Sequence, residues 1–309
     1  MVSCQFMFRL QHFCILFTLV SAIGVHSQQR DCNKQTMIVA VRDKHGQFVP
    51  GLQIADFRAK VSGKRVDILS ASGVSPGHRV VLVLDVSGSM AWKLRRLQDG
   101  LSSALIRFWP EDTQFSLIIF GGRVLERIEF GHSRQEILSA INQFTAIPAR
   151  SERAVRDSLK DANDLLHPAR IGDSVLVATD GMDDDSKVSS KTIERTFNSQ
   201  GIRFFLLRFI DHYLSTQDTF GQSEMELLSA ATGGATIAID SPNQIEPALK
   251  NMADEIAQYY FLQIALPKPL EKEGSFQIEI VNSSSRKRTD VELRFPQKVP
   301  ACTALNDHP

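Results

Sequence analysis

The sequence has no surplus of charge of either sign. Lys and Arg total 35 of its 309 residues, and Asp and Glu also total 35. The missing basic excess argues against a nucleic-acid surface, and the missing acidic excess argues against a solvating tail. No run after residue 27 is apolar for the ~20 residues that a bilayer span requires. Several catalytic signatures are also missing. There is no Gly-x-x-x-x-Gly-Lys-Ser/Thr to cradle phosphates, no His-Glu-x-x-His for zinc, and no Gly-x-Ser-x-Gly around a nucleophile. No Gly-x-Gly-x-x-Gly follows the first buried strand, so a dinucleotide site is not indicated. A phosphatase of the haloacid dehalogenase type needs Asp-x-Asp at a strand end, and here the second position is Ser87. The chain therefore reads as a non-catalytic protein.

Cysteine is scarce: four in all, two of which, Cys4 and Cys14, lie in the first 27 residues. That segment has Arg9 as its only charge, then an apolar run from Phe13 to Val25 and a short Val25-His26-Ser27 end. It reads as a secretory signal peptide (1–27), the competing reading being a membrane anchor. Cys32 is preceded by Gln29, Arg30 and Asp31, not by a lipobox, so no lipid anchor is expected. Export to the medium or the periplasm and envelope leaves Cys32 and Cys302 in a compartment where disulfides persist. They are expected to bridge the two ends of the mature chain, against the alternative of two unpaired thiols.

Residues 28–78 form a first β segment with a linker. Met37, Val39 and Val41 alternate with other residues, and turns fall at His45-Gly46, Pro50-Gly51 and Ser62-Gly63-Lys64. Ala71–His78 reads as the linker, with His78 at the surface. From 79 to 258 apolar strands alternate with helices. Val80–Leu84 is a continuous apolar run, suited to a strand covered on both faces. Leu94, Leu97, Leu101, Leu105 and Phe108 follow at helical spacing up to Pro110. Gly121-Gly122 predicts a hairpin between Phe115–Phe120 and Val124–Phe130. Further strands are read at Val175–Ala178, Ile202–Ile210 and Thr236–Ile239, and a short helix at Met225–Ala231. A C-terminal β segment (259–309) holds Tyr259–Leu266, Phe276–Val281 and Val291–Phe295. The pattern is α/β, with a mostly parallel sheet under helices on both faces. The β flanks are expected to pair with each other as one small sandwich.

The apolar strand Val80–Leu84 ends in Asp85-Val86-Ser87-Gly88-Ser89, and Val175–Ala178 ends in Thr179-Asp180-Gly181. If these strands are neighbours, two carboxylates and two hydroxyls converge beyond the strand ends, where open α/β sheets bind ligands. Such hard oxygen donors suit magnesium or calcium. This pair of loops resembles the metal-ion-dependent adhesion site of von Willebrand factor A domains, and the likeness covers most of residues 79–258. With the flanks Val39–Phe57 and Tyr259-Tyr260, the chain resembles the secreted bacterial, acidobacterial-type von Willebrand factor A-related proteins. The resemblance implies a Rossmann-like sheet of order 3-2-1-4-5-6 with an antiparallel hairpin strand. It also implies a divalent ion (Mg²⁺, or Mn²⁺ or Ca²⁺) held by Asp85, Ser87, Ser89 and Asp180. A partner protein's carboxylate would complete the ion's coordination, giving protein binding or adhesion.

One position departs from that pattern. The family carries a threonine in its third metal loop, where this chain has Arg153, with Ser151 two residues earlier as a substitute hydroxyl. Two unit charges ~4 Å apart interact by about 4 kcal/mol at an effective dielectric of 20, so an inward Arg153 opposes the ion or replaces it. The plainer alternatives are that Ser87 and Ser89 only cap a helix, that Asp183-Asp184-Asp185 is a solvated loop, and that Arg286-Lys287-Arg288 is a solvated turn. The rival function is a structural envelope module whose site is degenerate and metal-free. A hydrolase with an unrecognised nucleophile is the third.

Overall fold

Seven consecutive residues, Arg79–Asp85, are buried without interruption and form the strand β4 on which the α/β unit is built. The computed structural model describes residues 31–73, 77–146, 154–181, 183, 185–210 and 216–302, with the backbone alone at 92 and 216–223. Three strands precede β4: β1 (Lys34–Asp43), β2 (Phe57–Val61) and β3 (Lys64–Ser72). After it come α1 (Ala91–Arg107), β5 (Gln114–Phe120), β6 (Val124–Ile128), α2 (Arg134–Gln143), α3 (Val155–Leu165) and β7 (Ser174–Thr179). Then follow α4 (Ser190–Gln200), β8 (Arg203–Phe209), α5 (Thr216–Ala231), β9 (Thr236–Ile239) and α6 (Ile245–Ala257). The chain closes with β10 (Tyr260–Ala265), β11 (Gly274–Ile280), β12 (Val291–Arg294) and β13 (Lys298–Val299).

The six central strands order as β6-β5-β4-β7-β8-β9, parallel except for the β5–β6 hairpin. Counting from β4 this is 3-2-1-4-5-6, as the resemblance implied. Alternate residues of β4 feed two cores, as strand geometry requires. Val80, Leu82 and Leu84 pack with Leu94, Leu97, Leu249 and Ile256 of α1 and α6. Val81 and Val83 pack with Leu159, Phe197 and Phe204 on the opposite face. Gly201 ends α4 with φ at 72°, a left-handed conformation that costs glycine nothing and lets the chain turn into β8.

The flanking strands form one antiparallel sheet of order β12-β1-β10-β3-β2-β11-β13. Early and late strands interleave, so β10 pairs on both sides with strands from before the α/β unit. The first and last strands in that order are joined by only Phe295–Gln297. Laid flat, seven strands ~4.8 Å apart would hold their edges ~29 Å from each other, and four residue steps reach only ~14 Å. The sheet therefore curls over its own core of Val39, Val41, Phe57, Leu262, Ile264 and Phe276. The expected small sandwich is this one curled sheet. At the β2–β3 turn, Ser62 and Gly63 have φ of 49° and 77°, as a two-residue hairpin requires.

Two expectations fail here. The proposed linker is partly strand, since β3 runs to Ser72. His78 is buried at 6% exposure, edge-on to Tyr259, and its pKa is lowered by burial and by the Arg203 charge. The signal segment 1–27 and residues 303–309 lie outside the described residues. Cys32 and Cys302 are joined by a disulfide, with 5.6 Å between Cα atoms across 270 residues. Replacing both by alanine is expected to lower unfolding stability by about 2–4 kcal/mol, read from urea denaturation of oxidised wild type against the variant. No loss of stability would mean that the curled sheet holds its ends without the bridge.

Candidate functional site

β4 and β7 pair in parallel from Val80↔Ser174 to Leu84↔Ala178, so their carboxyl ends lie side by side. Asp85 closes β4, and Asp180 follows β7 directly. β4 has β5 on one side and β7 on the other, which makes this the point where the strand order reverses. Register alone thus brings together the two acids read from the sequence.

The hydrogen bonds show how the site is fastened. Asp85 Oδ1 accepts from the Ser87 backbone N–H at 2.8 Å, and Oδ2 accepts from the Thr179 hydroxyl at 2.6 Å. Thr179 Oγ1 in turn accepts from the Gly181 N–H at 3.1 Å. Burial, reinforced by the charge of Asp180, pushes the Asp85 pKa up to about 6, and hydrogen bonds from Ser87 and Thr179 offset only part of that rise. Ser87 and Ser89 hydroxyl oxygens lie 3.1 Å apart.

The helix-cap reading of these serines is overturned. Ser87 precedes the 3-10 turn Gly88–Met90 but makes no side-chain cap, and α1, with Met90 at its N-cap, has no side-chain cap. The turn is closed instead by the Met90 N–H donating to Ser87 O at 2.9 Å. A second correction concerns exposure. Asp85 and Asp180 are both 0% exposed rather than standing open at the strand ends. Gly88 and Ser89, half-buried, are the parts of the motif that reach the surface.

Ser151 and Arg153 lie outside the described residues. Just after them, the Ala154 N–H donates to Gly121 O at 3.1 Å, which places residue 154 near the end of β5. The Arg156 N–H donates to Asp183 Oδ2 at 2.9 Å, and the Arg156 guanidinium pairs with the same carboxylate at 3.1 Å. Asp157 Oδ1 accepts from the N–H groups of Lys187 and Val188, both at 3.0 Å. The loop after β7 and the first turn of α3 therefore hold each other. The solvated-loop reading is corrected for Asp183, whose side chain is 4% exposed and accepts from the Arg156 N–H at the start of α3. Asp185 is exposed as expected, and Asp184 lies outside the described residues. Thr179, Asp157 and Asp183 were not singled out as site residues. The Thr-Asp pair at a strand end was the available signal for the first of them.

Among the described residues, no group of three or more His, Cys, Asp or Glu side chains is placed to hold a metal ion. A cation here would rest on two carboxylates plus hydroxyl and water oxygens, a hard donor set. No described helix is long and apolar enough to cross a membrane.

The fold and these strand ends define the class: a doubly wound α/β domain with a carboxylate pair at its strand switch, inserted in an antiparallel sheet. Residues 80–182 match the family model for the von Willebrand factor type A domain. No curated protein sequence matches the chain. Among solved structures it is similar to proximal thread matrix protein 1 from the mussel byssus, at 17% identity over 62% of this chain and 49% of that one, with a TM-score of 0.50. A form of that mussel protein with a zinc-occupied MIDAS motif is similar at 16% identity over the same shares, TM-score 0.48. A von Willebrand factor type A protein from Catenulispora acidiphila is similar at 12% identity over 89% of this chain and 75% of that one, TM-score 0.46. The chain spans about half the length of the mussel protein. The likeness to the first of these is one of fold alone.

Proposed function

We propose that this chain is an exported, non-catalytic binding protein of the secreted or periplasmic space. In this reading it holds a divalent cation at Asp85, Ser87, Ser89 and Asp180 and binds the acidic side chain of a partner protein through that ion. The observation that carries the proposal is the buried Asp85, lifted to about pKa 6 by burial and by Asp180 at the end of the neighbouring strand. Excess negative charge buried there is what a cation offsets. Mg²⁺, Mn²⁺ or Ca²⁺ fits the donors, and adhesion is the use to which such an ion-bridged contact lends itself.

Calorimetric titration of the purified chain with Mg²⁺, Mn²⁺ and Ca²⁺ tests it. Saturable heat that disappears in Asp85→Ala is expected, and the absence of saturable heat sinks the metal reading. Arg153→Thr is expected to tighten binding at least about tenfold if the guanidinium opposes the ion. Unchanged affinity there would take Arg153 out of the site.

A second reading rests on a different observation. Asp85 already has both oxygens engaged by the protein, and Asp85, Ser87, Thr179 and Asp180 are sealed from solvent. A structural envelope module with a degenerate, metal-free site would look like this. Partner capture from an envelope extract that survives Asp85→Ala and 5 mM EDTA would favour it.

A further inference from the structure

The balanced charge of the whole chain conceals a division. Residues 32–78 and 259–302, which supply the curled sheet, hold 14 Lys and Arg against 8 Asp and Glu. The inserted residues 79–258 hold 19 against 25. Part of the basic surplus of the sheet gathers on one face. β2 turns Phe57, Ala59 and Val61 into the core, so Arg58 and Lys60 point outward. β3 buries Val66 and leaves Arg65 outward. In the β2–β3 register, Lys60 stands directly opposite Arg65.

Like charges facing each other across a strand pair destabilise a sheet, so this pairing has a cost in stability. Gln277 is the β11 partner of Lys60, and Glu279 is the β11 partner of Arg58. Arg58, Lys60, Arg65 and Lys287 surround a shallow cavity of about 200 Å³, with Glu279 the carboxylate at its wall. Among the described residues none of these four cations is in an ion pair. Nearby cations of the same sheet are paired: Arg288 with Asp290 at 2.7 Å, and Lys298 with Glu194 at 2.7 Å. The turn expected at Arg286-Lys287-Arg288 lies instead at 282–285, and Lys287 pairs back with Val281 as a β-bridge while lining this cavity.

We propose that the β2–β3–β11 face, through Lys60, Arg65, Arg58 and Lys287, is a second binding surface, and that its ligand is an acidic polysaccharide. Charge complementarity calls for a polyanion. The Cys32–Cys302 disulfide belongs to oxidising compartments, where linear polyanions are sulfated or carboxylated glycans rather than nucleic acids. The shallow cavity accepts one anionic group while the flanking cations follow the chain on either side. This surface lies on the sheet formed by the flanks, and the proposal does not rest on the strand-end site.

Binding of the full chain to dextran sulfate, with neutral dextran, a duplex DNA oligonucleotide and phosphatidylserine vesicles as comparison arms, tests it. Saturable binding to dextran sulfate alone is expected, unaffected by EDTA and weakened by salt. Lys60→Ser with Arg65→Ser is expected to lower affinity about tenfold. The single change Lys60→Glu separates binding from folding. It converts a like-charge cross-strand pair into an opposite one, so the melting temperature is expected to rise while dextran sulfate affinity falls. Equal affinity of wild type and Lys60→Glu overturns the proposal, as does equal binding of neutral dextran. Tighter binding to DNA or to vesicles than to dextran sulfate overturns the choice of ligand.

Discussion

Asp85→Asn is expected to make the cation-free protein more stable at pH 8 and to abolish its response to divalent ions. The reasoning is a proton linkage. In the folded chain burial and Asp180 hold the Asp85 pKa at about 6, above the ordinary carboxylate value of 3.8. The folded state then binds the proton more tightly than the unfolded state. Ionisation therefore costs nothing below pH ~4, and the penalty grows between pH 4 and 6 and is complete above ~7. A difference of about two pKa units corresponds to about 3 kcal/mol. Asparagine keeps an acceptor for the Ser87 N–H and sheds the charge, but loses an acceptor for the Thr179 hydroxyl. The net gain expected at pH 8 is about 2 kcal/mol, vanishing near pH 4. Urea denaturation in EDTA at the two pH values reads this directly. With 5 mM Mg²⁺ the wild type should gain stability by mass action and the variant should not. A variant less stable than wild type at pH 8 without cations would mean that the carboxylate is already neutralised inside the protein.

The carboxylate pair was legible in the sequence when its surroundings were not. Asp85 and Asp180 each end an apolar strand, and adjacent parallel strands leave their terminal residues side by side. Local pattern was enough. Thr179, Asp157 and Asp183 work through contacts between segments far apart in sequence, which no periodicity encodes. The alternation of strands and helices and the Gly121-Gly122 hairpin were likewise legible in apolar runs and turn residues, whereas the strand order followed only from the resemblance to von Willebrand factor A domains. The start of α5 was not. It reaches back to Thr216, and the polar, glycine-containing stretch before Met225 carries no apolar stripe. β13, two residues long, has no pattern at all.

β1 shows a deeper limit. Met37, Val39 and Val41 face the curled core, as alternation suggests. The other face does not meet water either, since Ile38, Ala40 and Arg42 are also buried. Ile38 and Ala40 pack with Tyr259, beside the end of α6. A strand that bridges two layers loses the polar face by which a half-exposed strand is recognised.

Glu255→Gln is expected to cost about 3–5 kcal/mol, and the reason lies in that same seam. The last carbonyls of a helix lack partners within it and carry its negative end. In α6 two arginines from other strands supply them. Arg42 of β1 donates to Asp254 O and Gln258 O, each at 3.0 Å. Arg203 of β8 donates to Ile256 O at 2.7 Å and lies 4.1 Å over the Tyr259 ring. Burial pulls the Arg203 pKa down to about 10, with Tyr259 and Glu255 resisting the fall. Glu255 is the carboxylate among them: it pairs with Arg42 at 3.2 Å and also with Arg294 of β12. The amide leaves hydrogen-bonding capacity but removes the carboxylate that pairs with the buried Arg42, and breaking a buried pair costs that much, whereas Arg294 keeps Glu292 at 3.0 Å. Lys160→Gln serves as the control. It removes an exposed pair with Asp164 at 2.9 Å and should move stability by less than about 0.5 kcal/mol. Because Glu255 joins α6 to strands of the curled sheet, its loss should lower one cooperative transition without splitting it. Two separated transitions in the variant would mean that the arginine seam, rather than shared packing, couples the α/β unit to the sheet that carries it.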